Sequence, residues 1–322
     1  MLSSKERVLM AINHEEPDRV PMDYWAWQEV NNNLYERLSL KEYDELLDYL
    51  GVDLRVVRAN YTGPNDCWNE IIKANTVEEL EKCKVPDPDL CDYSYIESFC
   101  DKYSHYAIMG GAWSPVFCTA SSFIGMQTLM IKMYEDPDFV KLFLEKITDF
   151  FYEQSIRMFE SAKGKMDIFF MGDDYGTQLD LIMSAKMWDE FYAPQLERLF
   201  GLAKDFGLKV MLHSCGSVYK LIPRLIELGM DALDPIQVRA TDMEPEKLKS
   251  SFGDKVTFHG GCDTQHLLPF GTVEEVRTES KKLIEIFGKG GGYIFGPSQE
   301  FLPDIPLDNI LAMYEVGRKS KR

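Results

Sequence analysis

Lys209-Val210-Met211-Leu212-His213-Ser214-Cys215-Gly216 is the stretch on which the fold reading turns. A short apolar run stops at a polar cluster closed by glycine. Val218–Leu228 then returns to helical spacing, with Gly229 where a C-terminal cap is expected. The same cadence recurs on both sides. Ile168–Met171 ends at Gly172-Asp173-Asp174 and leads to Ser184–Lys204, where Trp188, Phe191, Leu196 and Phe200 predict one amphipathic helix. Ala232–Leu233 ends at Asp234-Pro235-Ile236-Gln237, before a helix over Glu244–Ser251. Val256–Phe258 ends at His259-Gly260-Gly261-Cys262-Asp263, after which Thr272 and Glu275 predict a capping box opening a helix to Phe287. Tyr293–Phe295 ends at Gly296-Pro297-Ser298, following the turn glycines Gly290–Gly292, and Leu307–Val316 reads as a last helix.

Strands alternating with helices predict a parallel sheet with helical crossovers. Upstream, Arg19–Asp23, Asp53–Val57 and Ala107–Gly111 supply three further strand candidates, making eight. Eight such units predict an α/β fold of the (β/α)8 TIM barrel type with an elaborated N-terminal region, a single domain over residues 1–322. No G-x-G-x-x-G follows the first strand, which weakens a nucleotide-binding reading. The net charge of −18 makes phosphate backbones and anionic lipid unfavourable partners, so neither nucleic acid nor membrane is expected. Residues Met1–Asn13 lack the apolar core of a signal peptide, and no run approaches the roughly 18 apolar residues of a membrane span. Seven scattered cysteines, an odd number, predict reduced thiols and a cytoplasmic location.

In such a barrel, chemistry sits at the carboxyl ends of the strands. The polar residues on that side are Asp173, Asp174, His213, Cys215, Gln237, His259, Asp263, Ser298, Gln299 and Glu300. Residues i and i+2 of extended chain project to one side, so His213 and Cys215 can converge on a metal; zinc takes both donor types. The bland reading of the same pair is a core cysteine beside a hydrogen-bonded histidine. Asp173 or Asp174 can act as a base, orient a ligating histidine or hold a cationic group. One of the two is expected in the pocket and the other as a cap of the following helix, because neighbouring side chains alternate. Trp25 and Trp27, also two apart, can wall a pocket or fill the core equally well.

The opening Lys5-Glu6-Arg7-Val8-Leu9 with Glu16-Pro17-Asp18-Arg19-Val20-Pro21 resembles the start of the uroporphyrinogen decarboxylase-like superfamily. So do His213-Ser214-Cys215-Gly216, Gly229–Asp234, Leu248–Asp254, Phe258–Asp263, Leu268–Thr272 and Gly290–Tyr293. The resemblance implies a (β/α)8 barrel and one of two chemistries. Porphyrinogen decarboxylases work without metal and bind a polycarboxylate with N-terminal arginines, but here the corresponding Pro21–Gln28 contains none. The other branch comprises methyltransferases that use a corrinoid protein as methyl carrier, with zinc held by His-x-Cys and a later cysteine. His213 and Cys215 match the first two ligands, whereas Gly296-Pro297-Ser298-Gln299-Glu300 has no cysteine. Either Glu300 substitutes, another strand-end group does, or no metal is held.

The resemblance thus implies a zinc-dependent methyltransferase, oligomeric or not, moving methyl between a corrinoid protein and a small thiol or methoxylated substrate. His213, Cys215 and Glu300 are the expected metal ligands; Asp173, Asp174 and His259 the catalytic candidates; Trp25, Trp27, Gln178 and Gln237 the substrate-binding ones. The alternatives are a metal-free decarboxylase of a porphyrinogen-like compound and a non-catalytic tetrapyrrole-binding barrel.

Overall fold

A computed structural model describes residues 2–320; of the segments discussed above, Met1 lies outside them. Nine strands occur in chain order: β1 (Leu54–Val57), β2 (Asn60–Tyr61), β3 (Cys91–Asp92), β4 (Ala107–Gly110), β5 (Ile168–Gly172), β6 (Lys209–His213), β7 (Ala232–Asp234), β8 (Thr257–Cys262) and β9 (Tyr293–Pro297). Seven form a curled parallel sheet ordered β1-β4-β5-β6-β7-β8-β9, with helices between successive strands; β2 and β3 make a separate antiparallel pair. The predicted strand at Arg19–Asp23 is reduced to one bridge, Met22 beside Phe295. Its backbone nevertheless reaches both outer strands. Asp23 N–H donates to Phe295 O at 2.9 Å and Phe295 N–H to Pro21 O at 2.8 Å, while Asp53 N–H, just ahead of β1, donates to Met22 O at 2.8 Å.

The strand period of two sorts the apolar residues into two cores. Leu54, Ala107, Met109, Ile168, Phe170, Met211, Ala232 and Ile294 pack together on the concave side, closed from below by Val8 and Ile12 of the opening helix, Ser4–Ile12. Their neighbours Val57, Ile108, Phe169, Met171, Val210, Leu212, Leu233 and Phe258 face outward and join the larger core beneath the helices. That double burial is why these strands read as continuous apolar runs.

Two differences from the predicted elements have local causes. The helix expected over Ser184–Lys204 is two, Ala185–Phe191 and Ala193–Asp205, because Pro194 lacks the N–H that would continue the ladder. And β8 extends through Cys262, so His259 lies within a strand rather than after it. The capping box at Thr272 and Glu275 is present on the helix Val273–Gly288. Among the described residues no helix is long and apolar enough to cross a membrane, and none of the seven cysteines is paired.

Candidate functional site

Inward parity carried past the strand ends builds the site. In β6 the inward Met211 is followed two residues on by His213, then Cys215. In β5 Phe170 is followed by Gly172 and Asp174, and in β7 Ala232 by Asp234. The sheet register sets Gly172 beside His213 and His213 beside Asp234, so residues far apart in sequence share one layer. A side chain on Gly172 would strike the Trp113 ring at 2.9 Å; its absence lets that indole lie over Phe170, with centroids 5.5 Å apart.

His213 is the centre. Its Nδ1–H donates to Asp234 Oδ2 at 2.6 Å. Its Nε2 lies 3.4 Å from Cys215 Sγ and 3.7 Å from Asp174 Oδ1. One donor atom each from Asp174, His213 and Cys215 falls within 4.8 Å of the others. Bond lengths of about 2.0–2.3 Å in a tetrahedron place neighbouring zinc ligands roughly 3.3–3.8 Å apart, so the His213 separations fit such an ion. The Asp234 contact on the far nitrogen fixes the ring and its tautomer, as ligating histidines require.

Behind His213 runs a buried chain of charge. Asp234 Oδ1 meets His259 Nδ1 at 2.5 Å, and His259 Nε2 meets Asp23 Oδ2 at 3.0 Å, where the Trp25 indole N–H also donates at 2.8 Å. Burial opposes charge on both imidazoles, but the carboxylates outweigh it: Asp234 raises His213, and Asp234 with Asp23 raises His259, each to about 10. Burial also disfavours the Asp234 carboxylate, yet the two histidines hold its pKa well below the usual range. Burial raises the Cys215 thiol, with His213 opposing.

Two loops lock the Cys215 backbone. Cys215 N–H donates to Asp174 Oδ1 at 2.8 Å, and Tyr175 N–H to Ser214 Oγ at 2.9 Å. Gly216, at φ +81°, passes so close to the loop after β5 that a Cβ would lie 2.5 Å from Thr177 O. That contact explains the glycine closing the His-Ser-Cys-Gly run.

The cavity above these groups has a volume of about 600 Å³ and is lined by Trp25, Arg58, Trp113, Phe170, Asp174, His213, Asp234, Pro235, Pro297, Gln299 and Glu300. That size suits a small molecule. Of the sequence candidates, His213, Asp174, Trp25 and Glu300 line it. Cys215 borders it, receiving a hydrogen bond from Gln299 Nε2 at 3.1 Å. Glu300 lies outside the donor cluster, whose third member is Asp174.

Several candidates sit elsewhere. Asp173 is buried and accepts from the amides of Phe117 and Cys118, both at 2.7 Å, and of Val116 at 3.2 Å. It thus caps the helix Phe117–Ile124 after β4 rather than the helix following its own strand; burial raises its pKa to about 6 despite those amides. His259 is sealed between two carboxylates and does not line the cavity. Trp27 is 53% exposed, at the start of the helix Gln28–Leu38. Gln178 donates to Gln237 Oε1 at 3.1 Å, which also accepts from Gly216 N–H at 3.0 Å, so this pair braces the loop from outside. Asp234, Asp23, Arg58 and Trp113 were not singled out from sequence. Asp234 carried a usable signal, a carboxylate ending a strand; Arg58 and Trp113 follow strands in the irregular half and carried none.

The uroporphyrinogen decarboxylase (URO-D) family model matches residues 46–320. A methylated-thiol–coenzyme M methyltransferase of Methanosarcina mazei is 26% identical over 210 residues, 63% of this chain and 51% of that protein, so the match spans about half of that relative. A uroporphyrinogen decarboxylase of Chlorobium limicola is 20% identical over 97% of this chain and 96% of its own length. Among solved structures, a methyltransferase from Methanosarcina mazei superposes with a TM-score of 0.71 at 19% identity, covering 99% of each chain, a likeness of fold. These relatives are enzymes. With the model spanning nearly all of the sheet and its helices, the chain belongs to the uroporphyrinogen decarboxylase family.

Proposed function

We propose that this protein is a zinc-dependent methyltransferase moving a methyl group between a corrinoid protein and a small thiol or methoxylated substrate. One observation carries the reading: three different metal-binding side chains, Asp174, His213 and Cys215, meet within 4.8 Å beside a 600 Å³ cavity, with the histidine anchored from behind by Asp234. A catalytic zinc site uses three protein ligands and keeps a position open for substrate. The methyltransferase among the relatives supports the same reaction class. We also read the sheet as a closed (β/α)8 ring whose eighth strand, Arg19–Asp23, is reduced to a bridge.

Zinc held there would keep a substrate thiol deprotonated near neutral pH or polarise an ether oxygen. The chain's own residues do the rest. Asp234 orients His213 and accepts its Nδ1 proton in a hydrogen bond. Gln299 donates to the Cys215 sulfur, tempering its charge. Trp25, Trp113 and Phe170 give the cavity an apolar wall against which the substrate's body can lie. A porphyrinogen decarboxylase would need several cations for its substrate's carboxylates, whereas Arg58 is the one arginine or lysine among the lining residues.

The test is metal analysis joined to turnover. The purified protein should hold one zinc per chain, lose it in Cys215→Ala, and pass methyl from methylcobalamin to a thiol only when zinc is present. Undiminished transfer by metal-free protein, or carbon dioxide release from a porphyrinogen, would overturn the reading.

A further inference from the structure

Arg58 stands two residues past Val56, and inward parity directs it after Leu54 and Val56 toward the cavity it lines. Its guanidinium carbon lies 5.2 Å from the Trp113 ring, and the same indole lies 4.8 Å from the His213 ring. In a chain of 53 acidic residues, arginines rarely go unanswered. Arg7, Arg19, Arg55, Arg198 and Arg277 each meet a carboxylate within 2.9 Å. Among the described residues, the Arg58 side chain makes no hydrogen bond and no ion pair; it lies over the face of Trp113.

Among the described residues, none of the cavity's carboxylates pairs with it. Asp234 is taken up by two imidazoles, Asp174 accepts the Cys215 amide, and Glu300 stands outside ion-pair distance. Burial works against the Arg58 charge, so an incoming anion would recover what desolvation costs. A guanidinium beside an indole presents a planar edge of N–H donors suited to a two-oxygen acceptor.

We propose that Arg58 anchors a carboxylate or related oxyanion of the substrate, whose apolar body lies between Trp25, Trp113 and Phe170. On the methyltransferase reading, on which this extension rests, the substrate is then a small methylated organic acid. The anchor sets specificity and is separate from the metal-binding cluster.

Titration calorimetry on the full chain, zinc-loaded and chelator-treated, tests this with benzoate, benzenesulfonate and phenyl phosphate against neutral benzamide. At least one anion should bind about tenfold more tightly than benzamide, the scale of a charge-assisted hydrogen bond. The strongest of the three identifies the oxyanion. Arg58→Met should abolish the preference and Arg58→Lys keep part of it, both with wild-type zinc content. Equal binding of benzamide, no binding of any anion, or a preference surviving Arg58→Met would overturn the proposal. An anion preference accompanied by no methyl transfer from the zinc-loaded protein leaves the anchor standing and removes the methyltransferase reading; transfer by the zinc-loaded protein without any preference does the reverse.

Discussion

The two ends of the curled sheet each bury a chain of charge, and they end differently. At the amino ends of the strands, Asp53 receives Arg7 at 2.7 Å, Arg19 at 2.7 Å and the Met22 amide at 2.9 Å, and Arg7 also meets Asp18 at 2.7 Å. That network closes on itself and pins the opening helix under the inner core. At the carboxyl ends, Asp23, His259, Asp234 and His213 make a comparable chain, but it runs out into a cavity at His213 Nε2, beside Cys215 and Asp174. Closed networks of this kind hold a fold; an open-ended one offers its last atoms to something else.

The largest expected effect breaks the closed end. Asp53→Asn, at a fully buried carboxylate, leaves the buried Arg7 and the partly buried Arg19 short of their counter-charge and should cost about 3–5 kcal/mol of stability in urea unfolding. Zinc bound per folded molecule should stay unchanged, because the site lies at the other end. Next comes the open end. Asp234→Asn frees the His213 ring and should weaken zinc affinity about 10–100-fold in competition with a chromophoric chelator. If affinity is untouched, the carboxylate–histidine contact does not serve a metal.

A smaller effect is pH-dependent. In chelator-treated protein, the His259 pKa is raised from 6.5 to about 10, so the folded state keeps a proton that the unfolded chain sheds. The resulting stability is complete below about pH 6.5 and is lost as pH climbs toward 10. Asp234, shifted downward, contributes with the opposite sense and is lost only in acid. Melts from pH 6 to 10 should fall more steeply for the wild type than for His259→Asn; equal slopes would contradict the assignment. The smallest effect separates two carboxylates of the cavity. Glu300→Gln should leave zinc affinity within about twofold, the roughly 0.5 kcal/mol of an ordinary surface change. Asp174→Asn should lower it far more, and the opposite ranking would return Glu300 to the metal.

Legibility in the sequence followed regularity. From Ile168 onward, apolar runs and polar stops mark β5 to β9 within a few residues, since each strand is buried on both faces and each helix on one. The first half hides its elements: the Arg19–Asp23 segment touches both outer strands yet forms one bridge, too little pairing to impose a strand pattern. In the site, His213 and Cys215 were visible because two positions of extended chain bring side chains together. Asp173 is ambiguous in the sequence because an acid at a strand end looks alike whether it faces a cavity or, as here, the amides of a helix 55 residues upstream. The tryptophan pair divides in the same way: Trp25 lies in the cavity wall, Trp27 is exposed, and the second indole of the wall is Trp113.

By itself, then, the sequence determined the alternation of strand and helix, the parallel sheet it requires, and the local pairing of an imidazole with a sulfur. Those are consequences of period and neighbourhood, which a linear chain encodes directly. Only the tertiary structure decided that Asp174 completes the donor cluster, that Asp234 stands behind His213, and that Arg58 reaches the cavity unpaired. These groups come from different strands, and their meeting depends on sheet register and curvature, which join positions that no spacing along the chain relates.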